Sequence, residues 1–407
     1  MTDTNGPGGG AGAFAWLSVG AALLFTSYFM TTTLAPLLAV ALGAPPALLG
    51  SVVAATFVLP LLLAIPTGGW VDRVGGRPLA VAGTGLLVLA PVGVAVAPSI
   101  ATLFGLQVLT GVGQLLGVVA AQSLVAGFGA GRARERNYGV YGAFVSGGQL
   151  LGPVGAGVLV DLAGFAAAFG VASGVAALGT LAFAAVRPAA RPAGPPPDPA
   201  GRTPWRARLR SAWGALPRGA ARVAGLLRLP SVRASLWVSG TVMVVMIAHN
   251  SFLPASLEER RVPATLIGGI VSLRSLVAVV VRPFMARIVA AFGGRRPTFL
   301  AMLALASVGT AGLAVGANLV LQGVAAVALG VAVGVAQPLT MAAMVEEVAA
   351  ERHGFALGTR ITANRLAQVV APLALGAAAQ AFGYAATFLL TAGFLAAMTG
   401  GLGRLRR

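Results

Sequence analysis

The sequence predicts an all-α membrane protein with twelve transmembrane helices in two pseudo-symmetric six-helix bundles. Of its 407 residues, 57% are hydrophobic and only 9% charged, and the mean hydropathy is +0.89. Apolar runs of about 20 residues, each long enough to cross hydrocarbon, recur along the chain. Because soluble domains carry roughly 25% charged residues, a water-soluble globule is excluded. The absence of Cys also excludes disulfides and thiolate metal sites.

Each apolar run is assigned one helix, and the runs fall into two sets of six. Gly and Pro recur inside them, which membrane helices tolerate because neighbouring helices satisfy the freed backbone groups. The predicted helices span 14–40, 47–71, 78–97, 101–128, 137–160, 164–186, 231–254, 264–288, 297–315, 318–345, 355–380 and 384–402. The predicted domains are a disordered tail over 1–13, bundles over 14–186 and 231–402, a linker over 187–230 and a basic tail over 403–407.

The distribution of arginine predicts the orientation in the membrane. All basic side chains except two histidines are Arg, and the arginines concentrate in every second connection and at the C-terminus. The connections on the other side hold only Arg260 and Arg261. The positive-inside rule therefore predicts that both termini lie in the cytoplasm and that the protein is multi-pass in the cytoplasmic (plasma or inner) membrane.

The linker over 187–230 is basic and begins with a Pro-rich stretch that favours an extended chain. In its second part Trp205, Leu209, Trp213 and Leu216 recur at helical spacing among arginines. One interpretation is a helix that lies on the anionic inner leaflet of the bilayer. The alternative is a solvated basic linker.

An internal repeat relates the two halves. A shift of 218 residues brings Gly50 onto Gly268, and a shift of 219 brings Gln149 and Pro153 onto Gln368 and Pro372. Two similar six-helix halves are typical of alternating-access transporters, which bind substrate near the midplane between the halves.

Three motifs carry a resemblance to a known family. The stretch "GGWVDRVGGRP" at 68–78 resembles the G-x-L-x-D-R-x-G-R-R loop of the major facilitator superfamily, and "ARIVAAFGGRRP" at 286–297 repeats it. The stretch "GGQLLGPVGAG" at 147–157 is similar to the G-x-x-x-G-P motif of that family's drug antiporters. The resemblance covers essentially the whole chain and implies the major facilitator fold and, as one candidate, drug-antiporter-like efflux.

The resemblance also implies gating residues. Asp72 would dock near the start of the eleventh helix, whose N-terminal dipole favours a carboxylate, when the cytoplasmic side is shut. Two departures from the family pattern are visible: Gln107 stands where drug antiporters carry an Arg, and Ala290 stands where the first loop has Asp72. The gating candidates are Asp72, Arg73, Gly68, Gly76, Arg77, Arg282, Gly293 and Arg295. Arg282 is assigned from its place near the cytoplasmic end of the eighth helix and is either a gate residue or a lipid-headgroup contact. The helix-5 motif comprises Gly148, Gly152, Pro153 and Gly157.

Polar side chains inside the spans are the candidate substrate ligands, because an ionised group at the bilayer centre is costly unless it is paired or functional. Arg274 and Arg365 lie about ten residues, roughly 15 Å, inside their helices. No Asp or Glu lies near the midplane of any predicted span. The full candidate set is Arg274, Arg365, Asn364, Gln368, His249, Asn250, Tyr28, Thr31, Gln107, Gln114 and Gln149.

These residues predict an electropositive cavity for an anionic or zwitterionic small molecule, since Arg binds carboxylate or phosphate in bidentate fashion. His249 is the candidate proton carrier, because imidazole titrates near neutral pH. Each of these residues also has a structural alternative. Arg274 or Arg365 would then tie helix carbonyls together, and His249 would be a hydrogen-bonding residue of the outer gate. The glutamines would hold helices together.

The predicted function is secondary transport, with no catalytic residues, no metal and no cofactor, and with a proton gradient as the candidate driving force. The protein is predicted to act as a monomer in the bilayer and to have no nucleic acid partner. No nucleotide-binding motif is present, and the chain has no Lys to complete one. Export is favoured by the helix-5 motif. Uptake of an organic anion by symport or uniport is the alternative, and a non-transporting receptor is a remote one.

Overall fold

A computed structural model describes residues 7–129, 131–186, 225–346, 348 and 353–404, and these residues are almost entirely helical. The first four spans are helices α1 to α4, and the helices after the linker begin at Pro230. Their bounds are Pro7–Ala41 (α1), Pro46–Val74 (α2), Gly76–Val96 (α3), Ile100–Ala126 (α4), Gly131–Ala185 (α5 and α6), Pro230–Glu258 (α7), Ala264–Ala291 (α8), Arg295–Val315 (α9), Leu319–Glu346 (α10) and His353–Arg404 (α11 and α12).

Two of these elements each contain two spanning helices. Gly131–Ala185 reverses at Gly164, where φ is 78°, and His353–Arg404 reverses at Gly383, where φ is 79°. A positive φ is readily adopted only by glycine. We therefore number 131–163 as α5, 165–185 as α6, 353–382 as α11 and 384–404 as α12. The described chain thus has the predicted twelve helices, and the two reversals are separated by the period of the repeat.

The first helix differs from its prediction. It begins at Pro7, inside the segment 1–13 that the sequence predicts as a tail. Proline is favoured in the first turn of a helix, whereas the glycines at 8–10 and 12 disfavour one, which is why the sequence alone predicts a tail there. Residues 1–6, the linker residues 187–224 with Trp205, Leu209, Trp213 and Leu216, and residues 405–407 lie outside the described residues. The two interpretations of the linker therefore remain predictions.

The repeat is visible in how the helices pack within each half. In the first half, Ser173 of α6 donates to the carbonyl of Val88 in α3, at 2.6 Å. In the second half, Ser307 of α9 donates to the carbonyl of Ala392 in α12, at 2.8 Å. A shift of 219 residues pairs Val88 with Ser307 and Ser173 with Ala392. The two bonds therefore join equivalent positions, but the donor helix of one corresponds to the acceptor helix of the other. The two bundles, α1–α6 and α7–α12, therefore share one packing scheme.

The protein is a multi-pass membrane protein. Large apolar side chains such as Leu89, Leu181 and Phe382 are more than half exposed on the outside of the helices. At the surface of a spanning helix such side chains contact lipid. One end of the bundle carries the α2–α3, α4–α5 and α8–α9 connections, with Arg73, Arg134 and Arg296, and we call it the arginine-rich end. The other, the arginine-poor end, carries the α5–α6, α7–α8 and α11–α12 connections.

Candidate functional site

Helix α7 changes its winding where two candidate residues lie. Residues Ala248–Phe252 form a π-helical turn that contains His249 and Asn250. Pro254 follows within one turn, and proline has no N–H to continue regular α-helical bonding. Single π-helical turns of this kind are frequent at functional sites. The turn packs against α1 and against α11–α12, so it lies between the two halves.

Arg274 of α8 meets this turn. Its Nη2 donates to Oδ1 of Asn250 at 3.2 Å and to Oγ of Ser275 at 3.2 Å. Asn250 Oδ1 also lies 3.5 Å from Nδ1 of His249. The side chain of Arg274 is only 4% exposed, and that of His249 is fully buried. The structure therefore brings three of the candidate residues into one buried cluster.

This cluster has unused hydrogen-bonding capacity. Nε of Arg274 and Nε2 of His249 are buried and have no hydrogen-bond partner among the described residues. The groups that Arg274 does contact in the described part of the chain are the neutral oxygens of Asn250 and Ser275. Buried polar atoms are nearly always paired in folded proteins. The cluster therefore keeps hydrogen-bonding capacity that no described protein group uses.

Arg365 of α11 faces the other half of the protein. It is half-buried, its Nη1 lies 3.4 Å from Oε1 of Gln368, and it is close enough to Tyr28 of α1 to interact electrostatically. Asn364 is used differently, because its Oδ1 accepts from Oγ of Ser239 at 2.7 Å and so ties α11 to α7. Arg365 and Gln368 thus form a second polar pair, on α11, with Tyr28 of the first half within electrostatic range, and Asn364 joins α11 to α7.

The remaining candidates lie in the first half. Thr31 and Gln107 are buried, and Oγ1 of Thr31 and Oε1 of Gln107 have no partner among the described residues. Gln114 and Gln149 are half-buried. Neither glutamine is hydrogen-bonded to Arg274 or Arg365, whose described side-chain partners are those given above.

Apart from the contact of α7 with α1, the two halves meet along two seams near the arginine-poor end. At the α5–α8 seam the backbones approach so closely that a Cβ at Gly157 would collide with the carbonyl of Ala264, and one at Gly268 with that of Pro153. At the α2–α11 seam a Cβ at Gly376 would lie 2.7 Å from the carbonyl oxygen of Pro46. Gly148 and Gly152 of the helix-5 motif instead pack against α1, within the first half.

The α5–α8 seam is also joined by hydrogen bonds. Ser272 of α8 donates to the carbonyl of Leu150 at 2.6 Å and accepts from the N–H of Val154 at 3.2 Å. Leu150 and Val154 are one helical turn apart, so this hydroxyl is inserted into the backbone ladder of α5 beside Pro153. Such an insertion is one of the recognised causes of a helix kink.

Asp161, at the end of α5, caps the N-terminus of α8. Its Oδ1 accepts from the N–H of Ala264 at 3.0 Å, and its Oδ2 accepts from the N–H of Thr265 at 2.8 Å. The first N–H groups of a helix have no partner within the helix, and the helix dipole favours a negative charge there. Asp161 and Ser272 are not among the sequence-based candidates, because an acid at a helix end and a membrane serine carry no signal of a contact between halves.

The predicted gating residues lie at the arginine-rich end. Arg77 donates to the carbonyl of Ala184 in α6, within the first half, and Arg73 is exposed. Asp72 is in the last turn of α2, but its side chain is outside the described residues, as are residues 349–352 before α11. Its predicted contact with α11 therefore stays a prediction.

The other gating candidates have simple surroundings. Gly293 has a φ of 74° in the turn between α8 and α9, where glycine is favoured. Gly76 packs against Leu124, whereas a Cβ at Gly68 would meet nothing within 4 Å. Arg282 is half-buried in a short 3₁₀ turn of α8, about two turns from Arg274, and Arg295 begins α9.

Comparison with known proteins identifies this architecture. The family model described as Major Facilitator Superfamily matches residues 17–261 and 235–405. Among curated protein sequences, none matches the chain. Solved structures match over nearly its whole length.

Three of these structures illustrate the range. A POT family transporter in complex with 5-aminolevulinic acid has a TM-score of 0.75 at 15% identity, covering 96% of this chain and 94% of its own. A mutant of the nucleoside transporter NupG has a TM-score of 0.76 at 14% identity, covering 97% of this chain and 100% of its own. A bacterial homolog of the human lysosomal transporter Spinster, in an inward-facing and occupied conformation, has a TM-score of 0.75 at 14% identity. That match covers 97% of this chain and 96% of its own. At these identities the likeness is one of fold.

Proposed function

The chain belongs to the Major Facilitator Superfamily, and from this premise we propose that it moves a small anionic or zwitterionic organic molecule across the cytoplasmic membrane by alternating access. The observation that carries the proposal is the buried Arg274, whose described hydrogen-bond partners are neutral and whose Nε has no partner among them. A guanidinium near the bilayer centre without a counter-charge costs several kcal/mol, of order 3 or more. A bound carboxylate or phosphate would remove that cost.

The two arginine groups suit one ligand between the halves. Arg274, with Asn250 and His249, belongs to the second half and contacts the turn that packs on α1. Arg365 lies within electrostatic range of Tyr28 of the first half. Because ligand contacts on both halves couple binding to their relative movement, this arrangement supports transport rather than simple reception.

We assign the arginine-rich end to the cytoplasm by the positive-inside rule. The close contacts at Gly157, Gly268, Gly50 and Gly376 all lie toward the opposite end. The described conformation is then closed toward the outside, and the substrate site would be reached from the cytoplasm. The gating roles of Asp72 and Arg282 at the cytoplasmic end belong to this proposal.

Export is the preferred direction, because the helix-5 motif with Gly148, Gly152 and Pro153 resembles that of the family's antiporters. A second candidate is uptake of an organic anion. The observation that favours it is Gln107, which is buried in α4 where drug antiporters carry Arg. In either direction His249 is the proposed proton carrier, since its Nε2 is buried without a described partner and its ring lies beside Asn250 and Arg274.

The chemistry of the structural neighbours is compatible with this class of substrate. Structures of POT family transporters were solved with 5-aminolevulinic acid and with a thioalcohol-conjugated peptide. Both ligands are small organic molecules, and 5-aminolevulinic acid carries a carboxylate of the kind that Arg binds.

A thermal-shift panel tests the substrate class. Matched sets of carboxylates, phosphates, neutral compounds and organic cations are added to the purified protein, because a true ligand stabilises the folded state by mass action. We expect stabilisation by a member of the anionic or zwitterionic sets in the wild type and its loss in Arg274→Ala and Arg365→Ala. The surface variant Arg134→Ala is the matched control. Stabilisation by cations only, or unchanged shifts in both arginine variants, would refute the proposal.

A further inference from the structure

The second half contains a deep apolar groove that the transport site does not use. It lies between α7, α11 and α12 and has a volume of about 570 Å³. Gly240 and Val244 of α7, Ala367 and Ala371 of α11 and Thr391 of α12 are among its lining residues. Ligand pockets for small molecules are typically about 300–1,000 Å³, so the groove is large enough to hold one.

The repeat explains why the groove lies in the second half. The shift that aligns the halves brings Gly148 and Gly152 onto Ala367 and Ala371. In the first half, those glycines let α5 pack directly on the backbone of α1. In the second half, alanine methyl groups stand at these two positions and line the groove. A methyl group does not allow the close backbone approach that glycine allows, which fits an open groove at this place.

The groove opens to the lipid and not to the transport site. Its rim is formed by exposed apolar side chains, among them Trp237, Val370 and Phe394. On α11, Arg365 is two residues before Ala367 and six before Ala371, which places it roughly on the opposite face of a helix with about 3.6 residues per turn. Because the groove faces the hydrocarbon region of a bilayer, an acyl chain is the group that it would meet there.

A basic residue stands at one end of the groove. Arg233 precedes Trp237 by one turn and Gly240 by two, so the three share one face of α7. Nε of Arg233 is buried and has no hydrogen-bond partner among the described residues. The indole of Trp237 lies against Gly401 of α12, near the arginine-rich end, and Trp is enriched at membrane interfaces. Arg233 is thus at headgroup level, directly beyond the apolar groove.

From this arrangement we propose that the groove is a binding site for one anionic phospholipid, with an acyl chain along α7, α11 and α12 and its phosphate at Arg233. An arginine matches phosphate through charge-assisted hydrogen bonds, whereas the groove supplies only apolar contact and a few hydroxyls. The acyl chain and the headgroup contact different residues, so a separate variant can test the contribution of each to lipid binding. This site is independent of the proposed transport function.

Native mass spectrometry of the full chain, titrated with dioleoyl phosphatidylglycerol, tests the proposal. Gly240→Leu fills the groove, because a Cβ there meets nothing within 4 Å, and Gly93→Leu, at an equally open glycine of α3, is its control. Arg233→Ala removes the headgroup contact, with Arg134→Ala as its control. An unchanged melting temperature without lipid shows that each variant is folded.

We expect the first bound lipid to need about tenfold more phosphatidylglycerol in Gly240→Leu and in Arg233→Ala, which corresponds to about 1.4 kcal/mol, and no more in either control. Glycerophosphate, which has the headgroup but no chain, should not compete. If Gly240→Leu binds like the wild type, or if glycerophosphate competes fully, the groove does not bind a chain and the proposal is wrong. Equal binding by Arg233→Ala and the wild type would overturn the headgroup assignment in the same way.

Discussion

The two seams that join the halves have the same backbone design and different chemistry. Both place glycine against a proline-containing helix: Gly268 against Pro153 at the α5–α8 seam, and Gly50 against Pro372 at the α2–α11 seam. Among the described residues, side-chain hydrogen bonds join the halves at the α5–α8 seam, from Ser272 and Asp161. At the position that the repeat pairs with Ser272, the α2–α11 seam has Ala54. The difference indicates that, among the described residues, hydrogen bonds and close packing both hold the α5–α8 seam together, whereas close packing holds the α2–α11 seam.

The absence of Cys makes this comparison measurable, because a single introduced cysteine is unique. Thr32→Cys is a suitable reporter: Thr32 is half-buried on α1, one turn beyond Tyr28. A membrane-impermeant maleimide applied from the arginine-poor side should label it only when the seams open.

The largest effect is expected from filling a seam. Gly157→Leu forces a side chain into the carbonyl of Ala264, and overpacking of this kind costs about 1–3 kcal/mol. Labelling of Thr32→Cys should rise about 5- to 150-fold, with transport reduced accordingly. Gly155→Leu, two residues away and with nothing within 4 Å of its Cβ, should leave labelling unchanged. Equal labelling in both variants would show that the close approach is not what closes this end.

A smaller effect is expected from the carboxylate cap. Asp161→Asn removes the charge at the N-terminus of α8 and leaves one acceptor for two N–H groups. A cap of this type contributes about 1 kcal/mol, so labelling should rise about fivefold. Gln380→Asn at the other seam, the position that the repeat pairs with Asp161, is the control and should have no effect. Unchanged labelling in Asp161→Asn would mean that the polar contacts do not hold this end closed.

The inserted hydroxyl should matter less. Ser272→Ala removes one donor and one acceptor between the halves, and interhelical hydrogen bonds in membranes average about 0.6 kcal/mol. Labelling should rise roughly threefold. Ser51→Ala, whose hydroxyl is bonded to Ala47 within α2, is the control and should leave labelling unchanged. An equal or larger rise in Ser51→Ala than in Ser272→Ala would contradict the assignment.

The smallest effect, of opposite sign, is expected at Asp72. If its carboxylate favours closure of the arginine-rich end, Asp72→Asn should lower labelling of Thr32→Cys, since a carboxylate at a helix N-terminus contributes about 0.5 kcal/mol. Transport should slow while substrate affinity stays largely intact. A rise in labelling would show that Asp72, like Asp161, favours closure of the arginine-poor end, and would disprove the gating role.

The sequence predicts the helices and the repeat well, because both depend on local hydropathy and on glycine and proline positions. Gly164 and Gly383 reverse the chain close to where the predicted spans change over. The contacts of Asp161 and Ser272 are not predictable in this way, because their partners are backbone atoms more than about 100 residues away. Nearly every residue carries such backbone donors and acceptors, so the sequence does not mark which ones are used. The contact of Asn364 with Ser239 of α7 shows the same limit, whereas the prediction that Asn364 binds substrate beside Arg365 stays a prediction.

Solute counterflow into proteoliposomes tests the central claim most directly. Vesicles with the wild type, Arg274→Ala or Arg134→Ala are loaded with an anionic or zwitterionic compound that stabilises the protein, and uptake of the labelled compound is followed. We predict transient accumulation in the wild type and in Arg134→Ala, and none in Arg274→Ala. Equal accumulation with and without the Arg274 guanidinium would contradict an electropositive substrate site between the halves.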